Sequence, residues 1–390
     1  MKEASNDLLQ QVDQHLSQAN QAWLLGAGIS KDAGLPLMKD LTAQVLKKTS
    51  GTNYAAILTG LKDELPDSAH IEHMLSQLGD YAAIAKRIVS SKRIAIGGVD
   101  YGLDELENAH AAITGYIAEV IRWGYIEAKD GVPEVIGDRD NLIVSVEHHS
   151  NFVHALFEKR QAGLREPRRP VHFFTTNYDT LLEDALALGR YPYWDGFSGG
   201  AVAFREHRFG RVVPSDGLRA KVVKLHGSID WVLGEDGDVW RVRNTDRYPS
   251  RKGLVYIYPQ STKYVATQKD PFAAQFSILR ELVGSNSELV LAVCGYSFGD
   301  EHINEELERA LSAPTNKTTL IAFCWETNGL PPDLERWRQS SWGERVYVLT
   351  QKGLYWSNQE PLHQKTEGEH DWWNFQGVAK FLENGGLGAL

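Results

Sequence analysis

The sequence predicts a doubly wound α/β fold: a mostly parallel sheet with helices on both faces and a large helical insertion. Three observations carry that expectation. First, strand-like runs recur at 171–177, 220–227, 253–259, 288–296, 318–325 and 345–350, and several are near-continuously apolar, as suits parallel strands covered on both faces. Second, helical patterns stand between several of them (DTLLEDALALG, FAAQFSILRELVG, DEHINEELERALS). Strand–helix alternation builds a parallel sheet. Third, the run QAWLL at 21–25 ends in Gly26. It reads as a buried strand entering a glycine-rich turn before a helix. Ligands of such Rossmann-like sheets bind beyond the carboxyl ends of the strands.

The remaining segments fall around this frame. Residues 5–20 read as an amphipathic opening helix with Leu8, Leu9, Val12 and Leu16 on one face. Between about 40 and 165 the patterns LTAQVLKKT, IEHMLSQLGDYAAIAKRIV, LENAHAAITGYIAEVIRWGYIEA and VSVEHHSNFVHALFEKRQA are helical by period, with no convincing strand among them. The expected organisation is a sheet domain from 1–40 and 166–355, a helical insertion at 41–165 and a peripheral C-terminal extension at 356–390. There is no internal repeat and no low-complexity tract.

Composition narrows the function classes. The 390 residues are 42% apolar and 24% charged, enough for a sizeable core. With 41 Lys and Arg against 51 Asp and Glu, the net charge is −10. That balance argues against direct nucleic-acid binding, and the cluster Arg165, Arg168 and Arg169 reads as a charged loop. The two cysteines, Cys294 and Cys324, lie in apolar runs and are expected to be small buried hydrophobes. Two thiols cannot make a four-thiolate zinc site. No stretch approaches the ~20 apolar residues of a membrane span, and the first residues lack a signal-peptide core. A soluble cytoplasmic protein is expected. His70 with His73, and His148 with His149, read as solvated or capping histidines rather than metal ligands. The pair Trp372-Trp373 reads as core or interface packing.

Four motifs sit at strand ends. Gly26-Ala27-Gly28-Ile29-Ser30, followed by Gly34-Leu35-Pro36, offers a backbone that a pyrophosphate can approach, with a helix N-terminus behind it. It departs from the dehydrogenase fingerprint, because Lys31 stands where the third glycine belongs. Thr175-Thr176-Asn177-Tyr178-Asp179 closes the run VHFFTTN. Capping of the next helix accounts for Asp179 in part and for Asn177 less well. Lys224-Leu225-His226-Gly227-Ser228 places an imidazole at a strand end beside a glycine, leaving room for a ligand. Gly295-Tyr296-Ser297-Phe298-Gly299-Asp300 repeats the glycine–hydroxyl–glycine logic before a helix, with Asp300 a candidate N-cap.

Taken in order, GAGIS with a downstream GLP, TTNYD, LHGS and GYSFGD resemble the sirtuin-like superfamily. The resemblance implies that Gly26, Ala27, Gly28, Ser30 and Gly34 hold the phosphates of NAD, with Gly227, Ser228, Gly295 and Ser297 as further contacts. It implies that Asn177 positions a water and the nicotinamide ribose, that Asp179 lines the nicotinamide pocket, and that His226 is the general base. Two departures argue against protein deacylation. Leu37-Met38-Lys39-Asp40 stands where deacylases carry Asp-Phe-Arg, and the four-cysteine zinc module is excluded by count. The sequence is more similar to the bacterial sirtuin-like proteins of anti-phage defence, which deplete NAD, and to those members that pair with a HerA-type ATPase. An NAD glycohydrolase is therefore expected, acting as a homo-oligomer or with such an ATPase. NAD is its substrate, and no metal and no membrane partner are expected. The rival readings are a module that senses NAD or ADP-ribose without turnover and an NAD-dependent deacylase.

Overall fold

The computed structural model describes residues 2–390 except 89–91, 130, 165–168, 209, 211–212, 235–236, 244–253, 258–269, 366–367, 387 and 389–390. Arg165, Arg168 and the ends of the expected strand 253–259 thus lie outside the described residues.

Eight strands form the central sheet: β1 (Gln21–Leu25), β2 (Val171–Thr175), β3 (Tyr193–Trp194), β4 (Ala220–Lys224), β5 (Val290–Cys294), β6 (Thr319–Phe323), β7 (Val346–Leu349) and β8 (Leu354–Trp356). Their order is β8-β7-β6-β5-β1-β2-β4-β3. All pairs are parallel except β7 with β8. Strand β1 lies centrally. The chain builds outward from it through β2 and β4, then crosses back to β5 and builds the other way through β6 and β7. This is the doubly wound order, and its switch point falls between β1 and β5.

Successive residues of the central strands serve opposite faces, as the pleat requires. Trp23, Leu25, Phe173, Val222 and Ala292 pack into one core, Ala22, Leu24, Phe174, Val223 and Val293 into the other. The first core takes the opening helix Lys2–His15 through Leu8, Leu9 and Val12, with Leu16 just beyond its end. The second takes the helices Phe272–Val283, Glu301–Leu311 and Pro332–Arg338.

Between β1 and β2 the chain forms the helices Met38–Thr49, Ala55–Glu64, Ile71–Arg87 and Leu103–Trp123, which share a core of their own. Two small hairpins interrupt them, Arg93–Ile96 with Val99–Gly102 and Tyr125–Ile126 with Val135–Ile136, where no strand was expected. Each arm is four residues or fewer, too short for an alternating pattern to register.

Two other expectations are corrected. Leu254–Ile257 does not join the parallel sheet. It pairs antiparallel with Gly227–Leu233 in a separate five-stranded sheet. An apolar run signals burial and does not name the strand's partner. The C-terminal extension is not peripheral: Trp372, Phe375 and Phe381 are fully buried in the first core. The helix Phe375–Asn384 brings Phe375, Val378, Phe381 and Leu382 onto one face, and Trp372 Nε1 donates to the Thr350 carbonyl. No helix among the described residues is long and apolar enough to cross a membrane.

Candidate active site

Sheet register brings the motifs together. Leu25 pairs with Cys294 on one side and with Thr175 on the other, and Thr175 pairs with Lys224. The four strand ends are level, so the segments after them, at Gly26, Gly295, Thr176 and Leu225, emerge along one edge. Backbone bonds knit these segments: Gly26 N donates to Cys294 O at 3.0 Å, Thr176 N to Leu25 O at 3.1 Å, Leu225 N to Thr175 O at 2.8 Å and Ile229 N to Tyr178 O at 2.9 Å.

The glycines of the first motif have a structural reason. A Cβ on Gly26 would lie 2.5 Å from the Gly295 carbonyl oxygen, and one on Gly28 would lie 2.7 Å from the Gly295 Cα. Gly295 itself has φ of +65°, so the β1 and β5 turns touch backbone to backbone at the switch point. The helix behind the turn, whose N-terminus the sequence pointed to, is a single turn, Gly28–Lys31. The amides of Gly28, Ile29 and Ser30 already donate to Gly295 O, Gly26 O and Ala27 O. Ala27 is the exposed residue of the turn. Gly26→Ala is expected to cost ~1–3 kcal/mol through overpacking, read as a lower urea midpoint. An unchanged midpoint would contradict the contact.

Ser30 is a hub that the sequence did not reveal. Its hydroxyl donates to Asp179 Oδ2 at 2.8 Å and accepts from Asn177 Nδ2 at 3.1 Å. Asp179 Oδ1 accepts from Leu181 N at 3.0 Å, which is the capping part of its role. All three side chains are buried. With Nδ2 committed to Ser30, the Asn177 amide oxygen is buried without a hydrogen-bond partner. Such an acceptor costs about 1–3 kcal/mol, and an incoming donor would relieve that cost. The site thus fits a ligand that brings hydroxyls or water.

His226 follows β4. Its Nε2 lies 2.9 Å from Asp300 Oδ2, with the two side chains 12% and 7% exposed. Asp300 also caps the helix Glu301–Leu311, as the motif suggested: its Oδ1 accepts from His302 N and Ile303 N. Lys224, at the tip of β4, is buried and lies 3.2 Å from the buried Glu183 carboxylate, while donating to the Asp179 main-chain carbonyl. Burial raises the Glu183 pKa against the lowering pull of Lys224. One ammonium thereby ties the Asn177 loop to the His226 strand.

The other expected contacts are spread around this centre. Ser228 is fully buried and donates to Asp230 Oδ1 at 2.6 Å, and the buried Gly227 opens the strand Gly227–Leu233. Ser297 is exposed, its hydroxyl accepting from Gly299 N at 3.3 Å. Gly34 faces the insertion, where Tyr125 N donates to its carbonyl at 2.8 Å. The insertion also reaches the site: Tyr178 OH donates to Glu72 Oε1 at 2.5 Å, and Tyr178, Leu181 and Ile229 belong to the insertion's core. Burial pushes up the thiol pKa of Cys294 and Cys324. Among the described residues, no group of three or more His, Cys, Asp and Glu is placed to hold a metal ion.

His149 is neither solvated nor capping. It is fully buried, its ring centroid 4.9 Å from that of Phe375, and neither ring nitrogen has a partner. Burial lowers its pKa to about 4, against a smaller opposing pull from Asp179. The unfolded chain therefore takes up this proton first as the pH falls. Stability is full above the ordinary value near 6.5 and is lost between there and about 4, by roughly 3 kcal/mol. His149→Leu is expected to weaken the fall in urea midpoint between pH 7 and pH 5. His172, lowered by burial to about 3, acts alike in both proteins, so identical slopes would count against the assignment.

The comparisons bear on three of the four motifs directly. Residues 171–347 match the family model of the SIR2-like domain. No curated protein matches the chain. The SIR2-like match runs from the start of β2 into β7 and contains Asn177, His226 and Asp300. The Gly26–Ser30 turn lies upstream of it and joins it through Ser30 and the β1 register. The match supports a sirtuin-like family, and SIR2-like domains bind NAD. The mainly parallel sheet agrees with a Rossmann-like SIR2 fold.

Proposed function

We propose that this chain is an NAD glycohydrolase, cleaving NAD to nicotinamide and ADP-ribose. The observation that carries the reading is the buried, unpartnered Asn177 amide oxygen, one strand over from the tip that bears His226. Nicotinamide in NAD is a cationic pyridinium and leaves as a neutral molecule, so its departure needs little acid help. The glycosidic C–N bond breaks with its electron pair going to the ring nitrogen, and positive charge develops on the ribose. A water then bonds to the anomeric carbon. Asn177 Oδ1 accepts one of its hydrogens and so aims its lone pair, while His226 takes the proton and passes it to solvent. General-base help of this kind contributes ~10²–10⁴-fold. The bond from Asn177 Nδ2 to Ser30, itself bonded to Asp179, supports this role because it leaves the amide oxygen to accept.

The wider role rests on the sequence resemblance. The chain is proposed to be a cytoplasmic anti-phage effector that depletes NAD when activated, as a homo-oligomer or with a HerA-type ATPase. The insertion, which touches Tyr178 beside Asn177, suits the relay from such an assembly. Incubating the purified chain with NAD, alone and with a candidate ATPase and DNA, tests the reading. Nicotinamide and ADP-ribose in equal amounts are expected. NAD that binds and stays intact under every condition would favour a sensing module instead.

A further inference from the structure

We propose that Asp300 is a positioning residue for His226, and that it makes Nδ1 the ring atom that takes the proton. The proposal rests on reading His226 as the base. A ring lone pair facing a carboxylate oxygen at 2.9 Å would be repelled, so the proton lies between Nε2 and Oδ2. In the neutral ring that leaves the bare lone pair on Nδ1.

The contact joins segments that leave two non-adjacent strands of the sheet. Two strands, β1 and β2, stand between β5 and β4, so the ends of β5 and β4, which precede Asp300 and His226, are about 14 Å apart at ordinary strand spacing. The two segments must lean across the tips that carry Gly26 and Asn177 to meet. The Asp300 side is held rigid there. The single Tyr296 OH hydrogen is shared between Asn304 Oδ1 at 2.9 Å and the Asp300 carbonyl at 3.2 Å, and Asn304 Nδ2 donates to Phe298 O at 2.7 Å. The carboxylate also divides its work: Oδ1 caps the helix and Oδ2 faces the imidazole. A cap alone needs one oxygen, and Asn or Ser would supply it. The second oxygen and the charge are what only an acid provides here.

That division supplies the test. Asp300→Asn and Asp300→Ser both keep a capping side chain, so thermal unfolding should stay near that of the wild type. Nitrogen NMR of ring-labelled histidine should find the proton on Nε2 of His226 in the wild type, and a mixed or reversed tautomer in the variants. NAD turnover should fall on the order of 10²-fold in kcat with KM changed little, since the base is misaligned while binding groups remain. A wild-type proton on Nδ1, an unchanged tautomer in both variants, or wild-type kcat in a folded variant would each overturn the proposal. If the wild type releases no nicotinamide, the glycohydrolase reading fails, and the tautomer measurement still decides the role of Asp300.

Discussion

His226→Ala and Asn177→Ala are each expected to lower nicotinamide release by ~10²–10⁴-fold while the protein stays folded. The two residues sit at neighbouring strand tips, where truncation leaves the sheet register untouched. His226 is partly exposed and Asp300 keeps its cap without it, so the alanine variant loses little packing. Asn177→Ala gives up one hydrogen bond to Ser30 and also removes a buried oxygen that has no partner. Those effects oppose each other, because an unsatisfied buried acceptor costs about as much as a hydrogen bond contributes. Measuring turnover beside urea denaturation separates chemistry from folding. Near wild-type turnover in either folded variant would remove that residue from the mechanism.

Lys224→Met is expected to destabilise the fold by ~3–5 kcal/mol, because it leaves a buried carboxylate without its counter-charge. Lys224 and Glu183 are 3% and 4% exposed, so solvent cannot compensate. The double variant Lys224→Met with Glu183→Leu is expected to recover most of that loss, since replacing a buried pair by apolar groups is often close to neutral. It would still lack the bond from Lys224 to the Asp179 carbonyl. Chemical denaturation of the single and double variants checks this. A single variant as stable as the wild type would mean that the pair does not hold the two loops together.

Much of the sheet was legible in the sequence because its strands are buried on both faces and read as apolar runs. Strands β2, β4, β5, β6 and β7 each lie inside such a run. The edge strands β3 and β8 were not legible: they are two and three residues long and half covered. Of the second sheet only Leu254–Ile257 was legible as a strand, and it was given to the wrong sheet; the other arms are short apart from Gly227–Leu233. The C-terminal segment misled because its polar and glycine-rich flanks hide a helix with one apolar face. At the site, the motifs marked the strand ends, and the register then set them side by side. Their pairings could not be read in advance. Ser30 meets Asn177 and Asp179, and His226 meets Asp300, only because the switch point sets β1 between β5 and β2. In the sequence, the glycines of the first turn point to close approach by a pyrophosphate; the structure adds a second demand for glycine there, the backbone contact with Gly295.

A structure of the His226→Ala variant with intact NAD bound probes the chemistry where it would happen. The anomeric carbon of the nicotinamide ribose is expected beside Asn177 Oδ1, separated by a single water at near-attack spacing of about 3–3.5 Å from that carbon, with the pyrophosphate at Ala27. A dinucleotide bound elsewhere, or one whose nicotinamide ribose points away from the β2 and β4 tips, would contradict it.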